Sequence, residues 1–380
     1  MIYREPDLAE IDRHVLDLIE AQRRRLGSYT QHEPRRWSGS LRKATLARAI
    51  RGSNSIEGYD ATLQEAIAAV EEEEPFEERT ETWQAINGYR AAMTYVLQTA
   101  QDPTFEFGKQ LLKSLHFMMM QFDMTKRPGQ WRTGPIYVVD ERLPDPIYEA
   151  PGAEEADGLI DELVGYVRSD DSASILVKAA MAHLNLAMIH PFKDGNGRMT
   201  RALQTLVLAR DGLVHPVFSS IEEWLGANTP AYYAVLQRMS DGTWSPGYDA
   251  LPWVRFCLKA HYQQAFTLIR RHEEYELLFE RIERTIARQA LNGRMAVPLF
   301  DAALGARITN AKYQRDADVS VHVATRDLRT LVGEGLLDPV GEKRGRHYFA
   351  SEALKALHAR SRIGRIAPDP YGASSYEASS

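Results

Sequence analysis

One cysteine, Cys257, in 380 residues excludes an internal disulfide framework and any thiolate-built zinc cluster. It lies in the apolar run Trp253-Val-Arg-Phe-Cys-Leu258, where a small buried side chain is expected. No uninterrupted apolar run is long enough to span a bilayer, so no membrane partner is expected. The stretch Met1-Ile-Tyr-Arg-Glu-Pro-Asp lacks the basic-then-apolar pattern of a secretory leader, and the expected location is cytoplasmic. The whole chain also lacks a strong excess of one charge: 46 basic and 52 acidic residues leave a net −6. Locally the balance is uneven. Residues 281–366 carry 16 basic and 9 acidic residues, net +7, while the first 280 are net −11. An acidic body followed by a basic module is a partner signal for the module alone. With 44% hydrophobic and 26% charged residues, the chain reads as a soluble globular protein of two or three domains.

What is present centres on His190-Pro-Phe-Lys-Asp-Gly-Asn-Gly-Arg-Met-Thr-Arg201. Ahead of it, apolar residues at helical spacing predict a helix over 175–189, and Pro191 ends it by disfavouring helical geometry at His190. Asp194-Gly195-Asn196-Gly197 is a tight turn by composition, and a second helix follows from Arg198. Backbone N–H groups in a turn that opens a helix form an anion site. Arg198 and Arg201 share a helix face and can both reach phosphate oxygens. Asp194 supplies the hard oxygen that Mg²⁺ takes beside substrate phosphates. His190 stands at the lip, where an imidazole can accept a proton from an attacking hydroxyl. Together the parts suit in-line attack on a nucleoside triphosphate.

This stretch resembles the signature of Fic-domain proteins, H-x-F-x-[DE]-G-N-G-R-x-x-R, at every fixed position from His190 through Phe192, Asp194, Gly195, Asn196, Gly197 and Arg198 to Arg201. Fic proteins mostly transfer AMP from ATP to a hydroxyl side chain of a target protein. The resemblance implies that His190 is the general base and that Asp194 holds Mg²⁺. It makes Gly195, Asn196 and Gly197 the anion hole and Arg198 a phosphate ligand, with Phe192 anchoring the loop in the core.

Three further stretches gain meaning from that context. Ser53-Asn-Ser-Ile-Glu57-Gly58 resembles the family's inhibitory motif, [ST]-x-x-x-E-[GN], which implies that Glu57 pairs with Arg201 and competes with the γ-phosphate for it. The alternative reading of Glu57 is a C-terminal turn residue before a glycine cap. Residues 129–139 predict a short hairpin, either a plain surface turn or the family's flap, which clamps a target segment by strand addition. Asn228-Thr-Pro-Ala-Tyr232-Tyr233 resembles the family's N-R-x-x-Y segment of the adenine pocket, with Thr229 in place of the usual arginine. Asn228 reads either as an adenine contact or as a helix N-cap.

Helices are also expected over 8–26, 41–51, 62–74, 80–99, 107–122 and 154–168, and from Trp253 to about Ala290 as one helix or two. The run Glu71–Glu74 reads as a solvated face, and Met118-Met119-Met120 as core filler. Residues 292–350 read as a winged helix-turn-helix, with Ser320 capping a helix over 321–334 and a wing turning at 342–345. That helix resembles the recognition helix of DeoR-type bacterial regulators, which implies DNA contacts from His322, Thr325, Arg326 and Arg329. A protein-docking role is the alternative, and Asp327 and Glu334 dilute the charge.

The expected fold is mainly α: a Fic-type helical bundle with a small β-hairpin flap, plus a C-terminal winged helix-turn-helix. Expected units are residues 1–100 with the inhibitory motif, 101–275 as catalytic domain, 276–365 as winged helix and 366–380 as disordered tail. The expected activity is protein adenylyltransferase, with ATP and Mg²⁺, held off by Glu57 and Ser53. The alternatives are AMP removal by the same residues, or a DNA-binding regulator that uses the Fic body as a nucleotide sensor. A target protein at the flap is the expected partner, and family members often form homodimers.

Overall fold

The computed structural model describes residues 1–31, 35–73, 80–139, 146–169, 174–342 and 346–372. Helices α1 (Glu10–Gln31), α2 (Ser38–Ile56), α3 (Leu63–Val70), α4 (Glu81–Thr99) and α5 (Lys109–Met120) precede the antiparallel pair β1 (Tyr137–Val138) and β2 (Tyr148–Glu149). Then come α6 (Ala153–Arg168), α7 (Ile175–Ile189), α8 (Asn196–Ala209), α9 (Glu222–Ala227), α10 (Thr229–Gln237) and α11 (Leu251–Arg288). The chain closes with α12 (Ala296–Ala303), β3 (Ile308–Thr309), α13 (Asn310–Ala317), α14 (Val321–Gly333), β4 (Leu337–Val340), β5 (His347–Ala350) and α15 (Glu352–Arg360). The last three strands form one antiparallel sheet in the order β3-β5-β4. No helix among the described residues is long and apolar enough to cross a membrane.

α7 is apolar on almost every side, which places it at the centre. Leu176, Val177, Met181, Leu184, Leu186 and Ile189 are all buried, and Ser174 caps its start by accepting from Leu176 N–H. The core around α7 draws on α1, α4, α5, α6, α8 and the first part of α11, including Cys257. A second core gathers Trp37, which precedes α2, and Leu41, Ala44 and Ala47 of α2 with Leu299, Phe300, Tyr313, Leu328 and Leu331 of the C-terminal elements. The first core runs across residue 100, and the second runs across both 100 and 275. α11 is one helix, about 57 Å long at 1.5 Å per residue. Trp253 and Leu258 lie in the first core, while Leu268, Tyr275 and Phe279 lie in the second.

α2 passes through both cores. It crosses α9 at backbone contact: a Cβ on Gly52 would stand 2.4 Å from Glu222 O, and one on Gly226 2.7 Å from Gly52 Cα. Only glycine allows that approach.

Three expectations change. Over its described part the acidic run is a solvated face only at Glu72, whose side chain is 73% exposed. Glu71 is buried between Lys43 (3.0 Å) and Lys312, Glu73 meets Arg307 at 3.0 Å and Glu72 meets Arg90 at 2.7 Å. Their partners lie on α2, α4 and the C-terminal elements. The hairpin is not contained in 129–139, because that segment supplies β1 alone; its partner β2 follows at 148–149, and residues 140–145 lie outside the described residues. Finally, 366–372 are not loose. Lys259 meets Asp369 at 2.6 Å and Tyr371 packs on the first core, because an aspartate and an aromatic ring there find partners on α11. The wing turn at 343–345 and residues 373–380 lie outside the described residues.

Candidate active site

α7 ends where His190 takes a left-handed backbone, φ 51°, and its N–H still reaches Leu186 O. Its Nδ1 stands 3.1 Å from Ala187 O. A carbonyl can only accept, so Nδ1 carries the hydrogen and Nε2 keeps the lone pair. Burial lowers the His190 pKa below the ordinary 6.5, keeping the ring neutral at pH 7. A neutral imidazole with a free Nε2 is ready to accept a proton.

The loop after His190 is held from four sides. Phe192 is fully buried and stacks on His116, with ring centroids 3.8 Å apart. Asn196 closes the turn with its amide, accepting from Phe192 N–H and donating to Phe192 O, both at 2.9 Å. His116 accepts from Gly129 N–H at Nδ1 (2.8 Å), so its Nε2 donates to Asp194 O at 2.9 Å. Its pKa is pushed down to about 4 by burial. Arg132 donates from Nε to His190 O and from Nη1 to Gly134 O, both at 2.9 Å, and from Nη2 to Pro151 O. Its own N–H donates to Pro191 O at 2.9 Å.

Gly195 sits at φ 74°, and a Cβ there would meet Met120 Sδ at 2.9 Å. Its N–H is turned to Asp194 Oδ1 at 2.6 Å, so the expected anion hole narrows to the amides of Asn196 and Gly197 with that of Arg198. These open α8, where the helix has no carbonyl to offer them. Asp194 Oδ2 meets Lys126 Nζ at 3.0 Å. Burial works against its charge, but Lys126 and the Gly195 N–H outweigh burial and lower its pKa. No group of three or more His, Cys, Asp or Glu able to hold a metal exists among the described residues. A lone ionised carboxylate beside an anion nest fits Mg²⁺ only when phosphates complete its shell.

Both arginines of α8 are buried. Arg198 donates to Met120 Sδ and lies under the Tyr59 ring, 5.0 Å from its centroid; its Nε and Nη1 find no hydrogen-bond partner among the described residues. Arg201 donates from Nε to Ser53 Oγ at 2.7 Å, and from Nη2 to Ser53 O at 2.9 Å and to Glu57 Oε1 at 2.7 Å. Burial alone would lower the Arg201 pKa, but Glu57's charge reverses that and raises it. Gly197 makes room for this pair, since a Cβ there would stand 2.2 Å from Glu57 Oε1.

Glu57, His190, Gly197, Arg201, Tyr232 and Tyr233 line one cavity of about 250 Å³, with Tyr137 and Val138 of β1 along its wall. That is below the roughly 300–1,000 Å³ usual for ligand pockets. Asn228 is not among the lining residues. Its side-chain amide donates to Trp224 O at 2.8 Å, and it makes no side-chain cap to α10. Behind the cavity, His183 Nδ1 lies 2.5 Å from Gln204 Oε1, so its Nε2 accepts from Tyr232 OH at 2.9 Å.

His116, Lys126 and Arg132 were not singled out in the sequence. Each is a lone residue far along the chain from the loop it holds, so no spacing marks it. The only signal is Arg132 inside the Gly-Gln-Trp-Arg-Thr-Gly-Pro segment that drew attention for its turn.

Residues 106–208 match the Fic/DOC family. The protein adenylyltransferase Fic of Nematostella vectensis is 26% identical over 260 residues, covering 66% of this chain and 55% of that protein. A probable protein adenylyltransferase of Aquifex aeolicus (strain VF5) is 24% identical over 187 residues, covering 47% of this chain and 56% of that protein. The chain thus spans about half the length of these curated relatives. In fold, a Fic family protein from Desulfovibrio desulfuricans G20 superposes with a TM-score of 0.59 at 19% identity, over 92% of this chain and 99% of that one. A Fic domain containing signaling protein from Bacteroides thetaiotaomicron does so at 0.54 and 18%, over 69% of this chain and 98% of that one. Residues 106–208 thus carry the likeness to the Fic/DOC family, in a chain whose curated relatives are named protein adenylyltransferases.

Proposed function

We propose that the chain is a protein adenylyltransferase that Glu57 holds inactive. The observation that carries this reading is the Arg201–Glu57 contact of 2.7 Å inside the cavity that His190 lines. ATP would place its phosphates at the start of α8, on the amides after Gly195 and on Arg198. The target hydroxyl would attack the α-phosphorus while His190 Nε2 accepts its proton. The bond from the α-phosphorus to the bridging oxygen breaks, and pyrophosphate leaves. Mg²⁺ held by Asp194 would supply charge neutralisation at the phosphates. With Arg201 tied to Glu57, the γ-phosphate lacks its cation and ATP cannot settle in the in-line pose. The outer edge of β1, unpaired among the described residues and with Tyr137 exposed, supports docking of an extended target segment beside His190. Intact mass after incubation with ATP and Mg²⁺ tests the reading. Glu57→Gly is expected to gain AMP, whereas wild type and Glu57→Gly/His190→Ala are not. An unmodified Glu57→Gly chain that still binds ATP would rule the reading out.

A second partner attaches to residues 296–350, whose order of helix, strand, two helices and hairpin supports a winged helix. The buried Asp327 carboxylate takes Arg294 at 2.6 and 3.0 Å and Tyr313 OH at 3.1 Å, so its charge is spent internally. His322, Arg326 and Arg329 are exposed on α14, while Thr325 is half-buried and accepts from Asn310. This surface suits duplex DNA. Binding to a DNA duplex should weaken steeply with salt in the full chain, and Arg326→Ala/Arg329→Ala should flatten that slope by about 2. A slope left unchanged by the double substitution excludes this face.

A further inference from the structure

α2 has two ends with different surroundings. At its C-terminal end Ser53 and Glu57 hold Arg201. At its N-terminal end it is built into the C-terminal elements. Trp37 packs 6.1 Å from Phe300, and Leu41 and Ala44 share that core. Ser40 Oγ donates to Asp301 Oδ1. Lys43 meets Glu71 at 3.0 Å, Lys312 meets the same Glu71 oxygen, and Lys312 lies 3.4 Å from Asp301. Two cations and two carboxylates thus form one balanced cluster. The side chains of Glu71, Lys312 and Asp301 are 2, 3 and 7% exposed, so little solvent screens these three, while Lys43 is 41% exposed. Burial opposes each of these charges; pairing wins at Glu71, whose pKa is lowered, and at Lys312, whose pKa is raised, while burial wins at Asp301, whose pKa is raised. Between the two ends stands the Gly52–Gly226 crossing, which leaves α2 no room to bend sideways against α9.

We infer that the C-terminal elements from α12 to α13 regulate the candidate active site by clamping α2 through the Lys312–Glu71–Asp301–Lys43 cluster, so that opening this joint withdraws Glu57 from Arg201. The inference rests on the reading of Glu57 as an inhibitor. A buried ion cluster suits such a joint, because it holds firmly when complete and fails when one member is lost. Any ligand that binds the C-terminal elements better with the joint open would then activate transfer, and ATP binding would loosen the joint in return.

The test uses the full chain and two readouts, hydrogen exchange of the amides of residues 48–57 and AMP incorporation. Lys312→Ala is expected to speed exchange there by about tenfold, which is 1.4 kcal/mol of local opening. It should also raise incorporation toward that of Glu57→Gly and add nothing to Glu57→Gly itself. Lys312→Arg, which keeps a cation against Glu71 and Asp301, should leave both readouts closer to wild type than Lys312→Ala does. Exchange that quickens in residues 296–317 but stays at the wild-type rate in 48–57 overturns the coupling. If Lys312→Ala does not fold, Ser40→Ala, which deletes only the hydroxyl on Asp301, is judged by the same two readouts. If Glu57→Gly incorporates no AMP, the functional reading fails, and exchange in 48–57 still decides whether the joint moves α2.

Discussion

Glu57→Gly/His190→Ala should transfer AMP about 10²–10⁴-fold more slowly than Glu57→Gly, the usual worth of a positioned general base. The geometry makes this a statement about one atom. Ala187 O occupies Nδ1, so Nε2 is the group facing the cavity. The ring is neutral because burial lowers its pKa. Glu57 opposes that lowering, so its removal takes the pKa further down and the base stays available at pH 7. The loop does not depend on the imidazole. Phe192, Asn196 and Arg132 hold it through separate contacts. The phosphate site should therefore survive, and ATP affinity by calorimetry should change by less than about threefold, within the ~0.5 kcal/mol of an ordinary substitution away from the ligand. A double variant that matches Glu57→Gly in initial rate would remove His190 from the chemistry.

The second large effect belongs to Arg132→Ala in the same background. One side chain serves the carbonyls of His190, Gly134 and Pro151, joining the end of α7 to both approaches of the β1–β2 pair. Its loss leaves these acceptors without their charged donor and costs about 3 kcal/mol, allowing 1.5–3 kcal/mol for each such bond and partial repair by water. It also frees His190 to drift, and a displacement near 1 Å is worth about 10²-fold in rate. The expected result is a fall of that size in kcat with little change in ATP affinity, together with a lower unfolding midpoint. Arg132→Lys should not restore the rate, because an ammonium cannot reach three carbonyls in the plane of a guanidinium. Full activity in Arg132→Ala would show that the loop positions His190 without it.

Much of the site was legible because its parts are adjacent in sequence. The helix at 175–189 was readable from apolar spacing and Pro191, and the turn from its two glycines. The Glu57–Arg201 contact followed from a resemblance, and Ser53 and Glu57 do hold Arg201. What stayed hidden depended on partners far along the chain. Glu71 reads as solvated until Lys312, 241 residues later, covers it. Asp327 reads as a surface charge until Arg294 and Tyr313 enclose it. The hairpin's second strand is only Tyr148–Glu149, too short for a period of two to show. Asn228 carries an amide that suits several roles, and only the position of Trp224 O selects one.

The glycine crossing on α2 makes that helix a lever. At 1.5 Å per residue, Ser40 lies about 18 Å from the pivot at Gly52 and Glu57 about 7.5 Å beyond it. The arms differ by a factor of about 2.4, so movement at the Asp301 end reaches the carboxylate reduced rather than amplified. A displacement of about 2.4 Å at Ser40 moves Glu57 by about 1 Å, and that is enough to stretch a 2.7 Å contact past hydrogen-bond range. Small vibrations of the far end, so reduced, stay within hydrogen-bond range at Arg201, while a shift of about half a helical turn exceeds it. The same gearing makes the device insensitive to noise and responsive to a discrete rearrangement.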